Sequence, residues 1–126
     1  MRLVDSNVWL EILLEQQRQP QAEIYLNVHR AGGLCISLFS LDSIGVVLYR
    51  SKQWHKFELF LSDLLRNKVR LYALSLNDLV DLDRHLQQWK LDYDDAYQYT
   101  LAKKLNLELV SFDKDFDKTD LTRLEP

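Results

Sequence analysis

The chain is poor in residues that break regular structure: three glycines and two prolines among 126 positions. An all-β sandwich places such residues at its many turns, so that class is disfavoured. A single cysteine rules out a disulfide framework and a multi-cysteine zinc cluster. A reducing, cytoplasmic setting is the expectation that follows. Gly32, Gly33 and Gly45 are too few and wrongly spaced for a phosphate-cradling loop, which removes kinase and dinucleotide-binding readings. The longest uncharged apolar stretch, Ile44–Tyr49, is far too short to span a bilayer, and Met1–Asp5 has no signal-peptide core. No membrane association is expected.

Leucine is abundant instead, with 26 residues, and apolar residues reach 47% against 28% charged. This is the composition of a helix-rich globular chain. Its length suits one domain, residues 1–126, burying about 68% of the unfolded surface.

Apolar periodicity alternates strands with helices or helix pairs. Met1–Asp5, Leu34–Ser37, Val69–Ala73 and Leu107–Ser111 read as strands, with Leu121–Leu124 as a fifth candidate. Between them, Ser6 is a candidate cap for a helix from Asn7, and Pro20 suits the first turn of a second helix that Gly32–Gly33 ends. Ser40 is a candidate cap for a third. Gln53–Arg66 predicts a helix with Phe57, Phe60, Leu61, Leu64 and Leu65 inward, followed by helices over Asn77–Trp89 and Asp94–Leu105. The order predicts an α/β, three-layer α/β/α fold with a central parallel sheet of four to five strands flanked by helices. In such folds ligands bind beyond the carboxyl ends of the strands.

Two predicted strands run into aspartates there: Leu3-Val4-Asp5-Ser6-Asn7 and Leu109-Val110-Ser111-Phe112-Asp113-Lys114-Asp115. Asp92-Tyr93-Asp94-Asp95-Ala96 opens a helix between them. Any one of these acids could be only a helix cap or turn former. Together, at one sheet edge, they would repel one another, and a hard divalent cation such as Mg²⁺ or Mn²⁺ would relieve that repulsion. A phosphoacceptor reading is weaker, because the third strand has no aspartate at its end. A haloacid-dehalogenase-type phosphatase needs an aspartate where Asn7 stands.

Val4-Asp5-Ser6-Asn7-Val8-Trp9-Leu10 resembles the opening motif of PIN domains, including VapC-type toxins. Asp95-Ala96 and the run Ala102 to Phe116 resemble their carboxy-terminal signature. The resemblance spans nearly the whole chain. It implies a Mg²⁺- or Mn²⁺-dependent ribonuclease, frequent homodimers and a small antitoxin protein as partner. Carried onto this sequence, it implies Asp5, Asp95 and Asp113 as catalytic metal ligands, with Asn7 and Ser111 holding them by hydrogen bonds. Asp92 and Asp115 are outer candidates. The family's helix glutamate falls on Ser43, with Asp42 beside it as an alternative ligand. A missing glutamate would weaken a second metal ion first, and it leaves an inactive, partner-binding PIN-like module as the alternative function.

Net charge is −3, but residues 50–70 carry +4 while residues 71–126 carry −5. Arg50, Lys52 and Lys56 are therefore the candidate RNA contacts, with Trp54 as a possible stacking partner. His29, His55 and His85 lack ligand spacing and are expected on helix surfaces.

Overall fold

The structure, a computed structural model, describes residues 1–126. Five short strands, β1 (Arg2–Val4), β2 (Leu34–Ser37), β3 (Arg70–Tyr72), β4 (Glu108–Val110) and β5 (Arg123–Leu124), form one all-parallel sheet in the order β3-β2-β1-β4-β5. Six helices flank it: α1 (Ser6–Leu13), α2 (Gln19–His29), α3 (Leu38–Arg50), α4 (Trp54–Arg66), α5 (Leu76–Trp89) and α6 (Tyr93–Leu105). The three-layer arrangement is the one that the alternation of strands and helices predicts.

Side chains that alternate along a strand point to opposite faces. Val4, Ile36 and Val110 enter one core with Trp9, Ala22, Leu26, Ile44, Leu48, Phe60 and Leu64 of α1 to α4. Leu3, Cys35 and Leu109 enter the other with Leu82 of α5 and Tyr97, Leu101 and Ala102 of α6. Leu3 pairs in register with Cys35 and Leu109, so each face is a continuous apolar layer.

Several helix assignments shift. α1 begins at Ser6, not Asn7, because extended Asp5 is the cap and accepts from Ser6 N at 2.8 Å. α3 begins at Leu38, because extended Ser37 caps it by accepting from Ser40 N at 3.0 Å. Ser40 is thereby inside the helix, with its hydroxyl free for other work. Leu65 is 80% exposed, since Phe60 and Leu64, four apart, are the buried positions of α4 and Leu65 lies about 100° round the helix. In α6, every residue from Asp95 to Ala102 is buried, where periodicity predicts a single inward stripe.

Sheet order places the site. The chain leaves β1 toward β2 and β3, then crosses to β4 on the other side of β1. The carboxyl ends of β1 and β4 therefore flank the point where the winding direction reverses, where open α/β sheets leave a crevice.

Candidate functional site

Asp5 follows β1 at that crevice and is only 7% exposed. Ser111, the residue after β4, donates from Oγ to Asp5 Oδ2 at 2.7 Å. Asn7 donates from Nδ2 to Asp5 Oδ2 at 3.3 Å and to Ser111 Oγ at 3.1 Å, while its Oδ1 accepts from Phe112 N. Gln98 of α6 donates from Nε2 to Asp5 Oδ1 at 3.0 Å. The carboxylate is thus fixed by donors from three elements. Burial nonetheless raises its pKa above the ordinary value, since those hydrogen bonds only partly offset the lost hydration.

Asp95, in the first turn of α6, is 5% exposed and is the hub of the acidic cluster. Oxygen atoms of Asp92, Asp94 and Asp95 lie within 4.8 Å of one another, and so do those of Asp95, Asp113 and Asp115. Burial, then the charges of Asp94, Asp113 and Asp5, push Asp95 up to about 8. Asp113 is oriented from its own backbone: its N–H donates to Ser111 Oγ at 2.9 Å, and its Oδ1 accepts from Asp115 N at 2.9 Å. Converging carboxylates without a basic partner suit a hard, oxygen-preferring divalent cation. The donor set fits one, and Gln98, whose Nε2 reaches Asp5, has a buried Oε1 without a partner.

The site residues expected from sequence divide by location. Asp5, Asn7, Asp95, Ser111 and Asp113 meet at the crevice, and Asp92 and Asp115 border it. Asp42 does not: it is exposed and belongs to neither acidic triad. Ser43 lies three residues after Ser40 and so shares its face of α3. Ser40 Oγ accepts from Gln98 Nε2 at 2.7 Å and from Ser6 Oγ at 2.8 Å, so that face is the one turned toward Asp5. The helix is therefore not rotated to bring Asp42 inward, and the face of α3 turned toward Asp5 carries the hydroxyl side chains Ser40 and Ser43.

The basic residues stand elsewhere. Arg50 ends α3, about 18 Å along the helix from Leu38, and Lys52 follows it in the exposed turn to α4. Lys56 Nζ donates to Leu13 O at 3.0 Å, where it complements the carboxyl end of α1. A cation that charge counting did not single out lies nearer: the Arg18 guanidinium sits 4.0 Å over the Phe112 ring, held there by Glu11. His85 is half-buried, not on the surface, with Nδ1 2.9 Å from Thr100 Oγ1. Trp54 is exposed on α4. Gln98, Ser40, Ser6 and Asp94 are the members that sequence reasoning missed. For Gln98 the only sequence signal is its place three residues after Asp95, on the same helix face.

A second concavity, a cleft of about 250 Å³, opens between α1, α2 and α4. Trp9, Leu13, Leu26, Leu34, Phe60 and Leu64 line it, with Glu23 and Asp63 among its polar residues, and it contains none of the crevice aspartates. No helix is long and apolar enough to cross a membrane.

A parallel α/β/α sandwich with an acidic crevice at the β1/β4 switch point is one class of protein, and the sequence match agrees. The PIN domain family matches residues 2–121, and the chain belongs to that family. No curated protein gives a significant sequence match. Several solved structures share the fold. VapC20 of Mycobacterium tuberculosis, described as a toxin that cleaves the sarcin-ricin loop, superposes with a TM-score of 0.77 at 17% identity, covering 100% of both chains. VapBC2 of Rickettsia felis, bound to a promoter DNA fragment, gives 0.78 at 17% identity over 98% of this chain and 97% of that one. A toxin–antitoxin complex from Klebsiella pneumoniae gives 0.72 at 22% identity over 92% and 90%.

Proposed function

We propose that this PIN domain is a divalent-metal-dependent endoribonuclease and the toxin of a toxin–antitoxin pair. The observation that carries the reading is the convergence of Asp5, Asp95 and Asp113 at the switch point, with Asp95 crowded by like charge. These three would hold Mg²⁺ or Mn²⁺. A bound cation supplies an acidified water and offsets charge on the phosphate. The chain's own residues provide alignment: Ser111 and Asn7 fix Asp5, and the Ser111 hydroxyl also orders the backbone at Asp113. Outer ligand-holding groups of this kind set how well a metal site works. In-line hydrolysis would leave a 3′-hydroxyl and a 5′-phosphate.

An antitoxin partner is supported by the assemblies that the Klebsiella and Rickettsia neighbours form. The cleft between α1, α2 and α4 is the surface we assign to it, because its lining is mainly apolar and it is separate from the crevice aspartates. A homodimer is part of the same proposal.

The second reading is an inactive PIN-like interaction module, favoured by the sequence at α3: the resemblance puts the family's glutamate at position 43, and this chain has Ser43 there. Incubating the protein with labelled RNA in Mn²⁺, Mg²⁺ or EDTA distinguishes the two. Cleavage in Mn²⁺ that disappears in EDTA and in Asp113→Asn is the expected result. No cleavage in any metal, with the fold intact, favours the module.

A further inference from the structure

One buried side chain in the crevice, Gln98, keeps an unpartnered polar atom. Gln98 is 2% exposed. Its Nε2 donates to Asp5 Oδ1 at 3.0 Å and to Ser40 Oγ at 2.7 Å, while its Oε1 is buried without a partner. An ionised Asp5 offers only acceptors, so the amide must turn its NH₂ toward Asp5 and leave the oxygen unserved. Buried amide oxygens are seldom left this way, and each instance calls for a reason.

Gln98 is also the one side chain that donates both to Asp5 and to a residue of α3. It stands on the same face of α6 as Asp95. α3 brings no acid of its own to Asp5: Asp42 is exposed, and Ser40 and Ser43 carry hydroxyls. The group beside Asp5 that bridges to α3 is therefore a neutral carboxamide.

We propose that Gln98 is a positioning residue that holds Asp5 in one orientation and, as a neutral bridge between Asp5 and α3, limits the centre to one divalent cation. The proposal rests on the metal-dependent reading above. A carboxamide donates to Asp5 and so fixes it, but it brings no charge to offset a second ion, and two-metal centres rely on bridging carboxylates. Water carried in by a divalent cation is a donor of the kind that Oε1 lacks.

The test is Mn²⁺ binding to the full chain, by calorimetry and by electron paramagnetic resonance, in the wild type, Gln98→Glu, Gln98→Leu and Asp113→Asn, with melting of each metal-free protein. Wild type takes up one equivalent, and Asp113→Asn loses it. Gln98→Glu melts lower without metal, because it sets a carboxylate against Asp5, yet it takes up a second equivalent. Gln98→Leu keeps one equivalent, bound about 10–100-fold more weakly. A purely structural role would weaken binding in both Gln98 variants, and that result overturns the proposal. Wild-type affinity and one equivalent in both variants overturns it as well. Should Gln98→Glu not fold, wild-type affinity in Gln98→Leu alone overturns it. Failure of the wild type itself to bind Mn²⁺ removes the metal reading, and this inference with it.

Discussion

Ser111 Oγ donates to Asp5 Oδ2 at 2.7 Å, joining the ends of β1 and β4 across 106 residues of sequence. The same hydroxyl accepts from Asp113 N, so one small side chain ties two proposed ligands together. Removing it in Ser111→Ala leaves Asp5 with fewer donors. Calorimetry is expected to show Mn²⁺ affinity falling about 10–100-fold, with a stability loss of about 1 kcal/mol. Unchanged affinity would take Ser111 out of the site.

Asp95 is the shared member of both acidic triads. Asp95→Asn keeps the shape and removes the charge, so Mn²⁺ binding should disappear. The metal-free variant should melt higher than wild type near neutral pH, because a repelled buried carboxylate has gone. Retained binding excludes Asp95 as a ligand.

The pH dependence of the metal-free protein has a definite sign. Asp95 is pushed up to about 8 in the fold, against an ordinary carboxyl value of 3.8. Asp5 is raised in the same direction. Between the unfolded and folded values the native state binds more protons, so stability declines as pH rises through that window. Melting temperature in EDTA should fall from about pH 5 to about pH 8, less steeply in Asp95→Asn. Mn²⁺ should restore it at the upper end. A rise in melting temperature over this range in EDTA contradicts the placement of Asp95.

Much of this site is legible in the sequence, and the reason is topological. Asp5 and Asp113 each follow a strand in a chain that alternates strands and helices, and a parallel sheet brings strand ends to one edge. Asn7 and Ser111 sit within two residues of those acids, so their partnership follows from local chain geometry. Gln98 and Ser40 are different: their roles depend on α6 and α3 meeting at Asp5, a contact with no local sequence signature. The charge block of residues 50–70 shows a related limit. Counting charges locates Arg50 and Lys52 in sequence but not on the surface, and the length of α3 carries them away from the crevice. The extra inward residue assigned to α4, Leu65, shows the limit of reading a stripe by hydrophobicity alone.

The face of α4 is testable by a pair of truncations. Leu64 is buried in the core beside Phe60, and Leu65 is in solvent. Leu64→Ala should cost about 2–5 kcal/mol in chemical denaturation, and Leu65→Ala less than about 0.5 kcal/mol. Comparable losses would place Leu65 in an interface.

Ser43 shares the face of α3 that Ser40 turns toward Asp5. Ser43→Glu should therefore raise Mn²⁺-dependent RNA cleavage above wild type. No gain at high Mn²⁺ would argue against the register that places the family's glutamate at this position.

The central claim is that Asp5, Asp95 and Asp113 form a divalent cation site at the switch point of the sheet. A crystal soaked in Mn²⁺ tests it most directly, through the anomalous signal of the ion. The account predicts one peak, bound by Asp95 and Asp113 beside Asp5. No peak at that crevice, or a peak at Asp42, would contradict it.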